Sequence, residues 1–161
     1  MNKMKIAILS LANGLSTTFA ADVEQSDFYI NIEGGYPSLV SINVGHRSQK
    51  DQNGLDLGVG GSPIIYVLNA YGYANYLYYP NPDPYSQYYI GVGSQVGYGI
   101  VGPKFFDNFS WYAKPQLLVG KEFQINGREK HFIQLAGGNY FKFSGKHDFN
   151  PSLTLSYGFK Y

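Results

Sequence analysis

The chain holds three histidines, and two of them stand beside groups that an imidazole can activate. His46 precedes Ser48 by two positions. That spacing sets imidazole and hydroxyl on one face of an extended segment, where a base can withdraw the proton of a nucleophilic oxygen. The same spacing arises often by chance, and the reading kept for His46 and Ser48 is a solvated strand end. Ser144, His147 and Asp148 gather hydroxyl, base and acid in one loop, where such polar residues collect anyway. His131 opens a strand and reads as a rim side chain. His147 and Asp148 are adjacent, so they point to opposite sides of an extended segment, and no third ligand for a metal is placed near them. The glycine-rich run 91–102 lies within a strand and is followed by neither Lys-Ser/Thr nor a helix, so it is no phosphate loop. Cysteine is absent, which excludes thiolate metal sites and disulfides. No catalytic residue, metal site or cofactor is assigned.

The elements that must position these groups are β-strands. Charged residues are 14% of the chain, well below a soluble domain's usual quarter, while aromatics reach 17% and glycines number 20. Glycine and aromatics are poor helix formers, and aromatics pack well on a pleated surface. No stretch reaches the length of a membrane-spanning apolar helix. The dominant pattern is alternation. Val40, Ile42 and Val44 alternate with Ser41, Asn43 and Gly45. Leu55, Leu57 and Val59 alternate with Asp56, Gly58 and Gly60. Trp111, Ala113, Leu117 and Val119 alternate with Tyr112, Lys114, Gln116 and Gly120. Turn residues divide the chain into eight expected strands, near 27–35, 39–48, 54–61, 64–79, 85–101, 109–123, 128–143 and 152–161, with Asn126-Gly127 the clearest hairpin turn. An even number of strands joined by short links is an up-and-down meander, and closing it removes both edges. The expected fold class is therefore all-β, an eight-stranded antiparallel barrel.

The first residues read differently. Lys3 and Lys5 precede the short apolar run Ile6 to Ala12, and Thr18-Phe19-Ala20 offers small residues where a signal peptidase reads. Residues 1–20 are expected to be a cleaved export signal, and 21–161 the barrel domain.

In a soluble barrel the apolar series faces inward; in a membrane barrel it faces outward and the polar series fills the interior. The polar series includes Glu33, Arg47, Asp56, Lys114, Glu122, Lys142 and Lys160. Both signs are present, so a narrow interior can hold them as ion pairs, with glycines making room. Counting strands up and down from the N-terminus sorts the aromatics to two levels. Phe28, Tyr76, Tyr78, Tyr79, Tyr85, Tyr88, Phe123, Tyr157, Phe159 and Tyr161 fall toward one end. Tyr36, Tyr98, Phe105, Phe106, Phe109, Trp111, Phe141 and Phe143 fall toward the other. Two aromatic girdles bounding an apolar band are what two membrane interfaces require.

The last strand carries Leu153, Leu155, Tyr157, Phe159 and Tyr161 at every second position and ends on an aromatic. This series resembles the terminal signal that outer-membrane barrel proteins present to their assembly machinery. Strand number and length extend the resemblance to the small eight-stranded class typified by the membrane domain of OmpA and by OmpX. The resemblance implies a bacterial outer-membrane location, contact with outer-membrane lipid and with the barrel-assembly machinery during biogenesis, and a monomer.

Within that class the expected role is structural, maintaining the envelope or offering a modest attachment surface. Eight strands leave an interior just wide enough for side chains, so no open pore is expected. A net charge of +1 gives no basic field for nucleic acid. Phe105, Phe106, His147 and Phe149, on the outer loops, are the side chains expected to meet a partner. Two alternatives come from other classes. One is a lipid A-modifying barrel enzyme of deacylase or acyltransferase type, to which the His-x-Ser and Ser/His/Asp groupings would belong. The other is a soluble periplasmic calyx that takes up an apolar ligand as lipocalins do.

Overall fold

A computed structural model describes residues 25–37, 39–62, 68–100, 109–125, 129–143 and 150–161. The expected export segment 1–20, the Asn126-Gly127 turn, and the loop residues Phe105, Phe106, Ser144, His147, Asp148 and Phe149 lie outside the described residues. The described part is all strand and turn. The strands are β1 (Gln25–Tyr36), β2 (Val40–Lys50), β3 (Asn53–Ser62), β4 (Asn69–Tyr78), β5 (Ser86–Gly99), β6 (Ser110–Ile125), β7 (Glu129–Asn139), β8 (Phe141–Lys142) and β9 (Pro151–Lys160).

β1 to β6 pair antiparallel in sequence order, β6 pairs with both β7 and β8, β7 with β9 and β9 with β1, so the sheet is closed. β7 and β8 are two stretches of one strand, since both pair with β6 in one continuous register. The break falls at Tyr140, beside Pro115 of β6, which has no N–H to give to the ladder. The cylinder thus has the eight strands expected, closed by the β1–β9 and β5–β6 pairings.

Starting at Tyr29, paired residues lead through Gly45, Gly58, Tyr73 and Gln95 to Lys114. In the other direction they lead through Lys160 and Lys130 to Gln124. The two routes meet β6 ten positions apart. This stagger tilts the strands by about 40° and closes a tube whose interior is only as wide as the side chains that fill it.

Strand bounds differ from the expected ones mainly at β4. It runs from Asn69 to Tyr78, so Leu68 and Tyr79 lie outside it. The link between β2 and β3 is also shorter than expected, because Lys50 pairs with Asn53 and only Asp51 and Gln52 turn the chain. Asp51 makes the reversal at φ 52°, a left-handed conformation that aspartate tolerates.

The apolar series faces outward. Val40, Ile42, Leu117 and Leu155 are exposed, Leu117 to 67%, while Asn31, Asn43, Arg47, Asp56, Lys114 and Gln134 are buried within the tube. One expectation is corrected here. Tyr79, expected in a girdle, is buried like Tyr71 and Tyr89, while Tyr76, Tyr78, Tyr85 and Tyr88 are exposed. Tyrosine suits either side, since its ring is apolar and its hydroxyl finds partners inside.

Glycines seat these interior rings. Tyr29 lies opposite Gly45, Tyr73 opposite Gly58, Tyr89 opposite Gly120 and Phe132 opposite Gly158. A Cβ on Gly120 would sit 2.3 Å from the Tyr89 ring, and one on Gly158 2.4 Å from Phe132. No side chain fits there unless the ring moves. Gly158→Ala should therefore destabilise the barrel by about 1–3 kcal/mol through overpacking. The single tryptophan, Trp111, reports that loss as a lower urea midpoint in fluorescence-detected unfolding.

Candidate functional site

The interior is the part of the molecule with concentrated charge. Alternation turns Arg47 of β2, Asp56 of β3, Glu122 of β6 and Lys160 of β9 inward, and the stagger brings them together. Arg47 lies at the centre, 2% exposed. Its Nη1 donates to Glu122 Oε1 at 2.7 Å, and its Nη2 donates to Asp56 Oδ2 at 3.1 Å and to Gln134 Oε1 at 3.2 Å. The guanidinium carbon lies 4.7 Å from the centre of the Phe132 ring and 4.9 Å from that of Tyr89, so its faces are stacked as well as its edge bonded.

Every carboxylate oxygen of Asp56 and Glu122 is satisfied. Asp56 Oδ1 accepts from Tyr29 Oη at 2.6 Å, and its Oδ2 also accepts from Asn75 at 3.1 Å. Glu122 Oε1 accepts from Tyr79 Oη at 3.0 Å, and Oε2 from Lys160 Nζ at 2.7 Å and Gln87 at 3.1 Å. Lys160 also pairs with Asp27 at 3.3 Å, and Lys130 reaches the same carboxylate from the rim at 3.3 Å. Buried charges persist only when paired and hydrogen-bonded in this way.

Of the seven polar residues singled out from sequence, Arg47, Asp56, Glu122 and Lys160 thus meet in one network. Glu33 and Lys114 are also buried and lie nearer the end formed by the β1–β2 and β5–β6 links. Glu33 accepts from Ser156 Oγ at 3.3 Å, and the Lys114 ammonium stands 5.4 Å from the centre of the Tyr140 ring. Lys142 is half-buried near the same end, opposite Tyr112. Sequence reading passed over Asp27, Gln87, Gln134 and the inward tyrosines. Their one visible signal was the inward parity they share with Arg47 or Glu122.

The void lined by Glu33, Asn43, Asp56 and Gln116 measures about 10 Å³, room for about one water molecule. The described interior side chains are predominantly polar while the apolar series faces out, which does not favour uptake of an apolar ligand into a calyx.

Outside, the histidines behave differently from their sequence neighbourhoods. His46 Nε2 shares a 2.6 Å hydrogen bond with Ser26 Oγ of β1, not with Ser48, because Ser26 and His46 reach toward each other across the β1–β2 ladder. His131 is no exposed rim residue: it is 2% exposed, enclosed by Phe123, Tyr157 and Phe159, with Nδ1 3.0 Å from Tyr157 Oη. Thus Tyr157 and Phe159 of β9 are gripped on the outer face by His131 while Lys160 is gripped on the inner face by Glu122 and Asp27. Among the described residues, no group of three or more His, Cys, Asp or Glu is arranged to hold a metal ion.

No protein-family model matches this chain, and no curated protein matches it. Solved structures do. A de novo designed transmembrane β-barrel superposes over 87% of this chain and 98% of its own, with a TM-score of 0.56 at 9% identity. The fold is that of the designed transmembrane barrels. The solution NMR structure of a second design, TMB2.3, matches over 87% of this chain and 96% of its own, with a TM-score of 0.54 at 9% identity. At that identity the barrel fold is shared while the interior is this chain's own.

Removing Arg47 strands two buried carboxylates. Arg47→Ala should cost about 3–5 kcal/mol of stability. Lys130→Ala, at a pair whose lysine side chain is 32% exposed, should cost under about 1 kcal/mol. Urea titration of both variants in detergent micelles measures the difference; equal costs would remove Arg47 from its central place.

Proposed function

We propose that this chain is a small bacterial outer-membrane β-barrel whose role is structural, maintaining the envelope or offering a modest attachment surface, with its interior filled by side chains and not open as a pore. One observation carries the reading: the outer surface has an uncharged apolar band of membrane height. Among the described strand residues, the charged and imidazole side chains that face outward are His46, Lys50, Lys121, Glu129 and His131, all in the half nearest the chain termini. Beyond them come Ile30, Ile32, Val44, Val59, Ile90, Val92, Leu117, Val119, Leu135 and Leu155, all exposed. Trp111 and Lys121 stand ten residues apart on β6. At about 3.3 Å per residue and about 40° of tilt they are separated by roughly 25 Å along the axis, the height of a membrane barrel's apolar band.

Aromatics border the band. Exposed Tyr36, Tyr98, Phe109, Trp111, Phe141 and Phe143 lie at one end, and exposed Phe28, Tyr76, Tyr78, Tyr85, Tyr88, Phe159 and Tyr161 at the other. In water, so much contiguous apolar surface would drive aggregation. In lipid it is the favourable surface, and the closed ladder pairs the backbone of neighbouring strands around the tube, as a hydrocarbon surrounding requires. An outer-membrane location, the export signal at 1–20, and recognition of Leu153, Leu155, Tyr157, Phe159 and Tyr161 by assembly machinery belong to this proposal. It draws on the resemblance to the OmpA and OmpX class. Contact of a partner with Phe105, Phe106, His147 and Phe149 belongs to it as well.

The rival lipid-modifying reading gains no support from His46. Its hydroxyl partner is Ser26, and both sit near the termini. Comparing lipid A by mass spectrometry with and without the protein separates the two readings, and an unchanged acyl pattern is expected.

The membrane placement has its own test. Leu117→Arg puts a charge in mid-band and should cost about 2–4 kcal/mol if lipid surrounds the barrel. It should cost almost nothing if water does. Folding in phospholipid vesicles, followed by heat-modifiable gel migration, reads the loss. Release of the wild-type protein into buffer without detergent would sink the reading.

A further inference from the structure

On the outer face, one stretch of β4 carries almost no side chain. Its outward positions run Ala70, Gly72, Ala74 and Tyr76. Neighbouring strands set larger groups beside them. Gly72 pairs with Val59 of β3 and Val96 of β5, and Ala70 pairs with Tyr98, which pairs in turn with Trp111. The result is a groove of about 570 Å³. Ala70 and Gly72 form its floor, Val44 and Val59 stand along one side, and Val96, Tyr98 and Trp111 stand along the other. No charged residue lines it. Its upper end lies among the girdle aromatics opposite the termini, where the centre of the Tyr98 ring is 5.3 Å from that of Trp111 and 5.7 Å from that of Phe109.

Packing within the barrel does not account for Gly72. Gly120 and Gly158 give their volume to interior rings, whereas a Cβ on Gly72 would meet nothing nearer than the Gly58 carbonyl oxygen at 3.8 Å. A glycine inside a strand costs backbone entropy and packs nothing. The space it leaves is offered to something outside the chain.

The dimensions choose the occupant. Strand spacing places the two valine-bearing strands roughly 10 Å apart, and the floor from Ala70 to Ala74 runs about 13 Å along β4. A patch of roughly 130 Å² is far below the ~800 Å² per partner of a standard protein interface, and on a narrow tube the wall curves away on either side. A peptide strand would find no partner here, since the backbone beneath is already paired to β3 and β5. Hydrocarbon fits on both counts. In lipid no hydrophobic force drives association. An empty groove still forfeits the dispersion contacts of its lining, and an extended chain lying along β4 restores them.

We propose that this groove binds one acyl chain of a lipid in the leaflet at the end opposite the termini, and prefers a straight, saturated chain to one bent by a cis double bond. The lipid headgroup then lies level with Trp111 and Tyr98, whose N–H and O–H can donate to its ester and phosphate oxygens. The inference rests on the membrane reading and goes beyond it in naming one site and the kind of chain it holds.

Trp111, the single tryptophan, lines the groove and serves as the reporter. The barrel is folded into vesicles of phosphatidylcholine with chains brominated near the ester, which quench indole on contact. The quencher is then diluted with dimyristoyl- or dioleoylphosphatidylcholine. Heat-modifiable migration first establishes insertion, and a barrel that does not insert sinks the membrane reading and this inference together. In the inserted wild type, the dimyristoyl lipid should relieve quenching at a mole fraction at least about threefold lower than the dioleoyl lipid does. Gly72→Leu, which fills the floor, should abolish that difference. Gly137→Leu adds the same bulk on β7, at another glycine with open space above it, and should preserve it. Equal relief by both lipids in the wild type, or a preference that survives in Gly72→Leu, would overturn the acyl site while the membrane reading stands. Should Gly72→Leu fail to fold, Ala70→Leu fills the same floor. Native mass spectrometry of the extracted barrel should show a monomer carrying one phospholipid; a lipid-free dimer would overturn the proposal in favour of a second copy.

Discussion

The guanidinium of Arg47 joins strands that share no edge. Backbone hydrogen bonds tie each strand only to its two neighbours around the circumference. Nothing in that ladder prevents a narrow tube from flattening. Arg47 reaches from β2 across the interior to β6 and β7 while also bonding β3 beside it. Opposite walls are thereby held at a set distance by a rigid planar fork. The surrounding groups can be understood from this one placement. Glu122 must be inward and doubly bonded on each oxygen, Asp56 must be flanked by Tyr29 and Asn75, and rings must cover the faces of the cation, because a charge so far from water has to be paired and hydrogen-bonded.

An apolar exterior and a charged interior are two sides of the same alternation. A strand with period two cannot send leucines to the lipid without sending its other residues to the axis. What distinguishes this chain is how that second set is used. Toward the termini it forms a satisfied ionic layer; toward the other end it offers hydroxyls and amides in a ring. The closing strand β9 takes part in both. Lys160 joins the ionic layer, Ser152 and Thr154 join the ring, and Tyr157 and Phe159 engage His131 outside.

Much of this was legible in the sequence where residue type and parity agree. Val40, Ile42 and Val44 could face only one way together, and Arg47 had to follow Ser41 and Asn43 to the other side. The network was not legible, because Arg47 and Glu122 are 75 positions apart and meet only after the stagger of the whole cylinder is set. Tyr79 was misjudged as a girdle residue because tyrosine is at home at an interface and in a polar core alike. His131 was misjudged because its outward parity hides the aromatic side chains that cover it from β6 and β9. Parity fixes a side, and only neighbours across the ladder decide exposure.

The pairing of each interior ring with a glycine on the facing strand bears on how such a chain can change over generations. Tyr89 and Gly120, or Phe132 and Gly158, occupy one volume divided unequally between two positions. Neither partner can grow while the other stays large. Drift at these sites is therefore confined to exchanges in which bulk passes from one strand to its neighbour. Such a lineage would preserve the sum of each couple long after the individual residues had become unrecognisable.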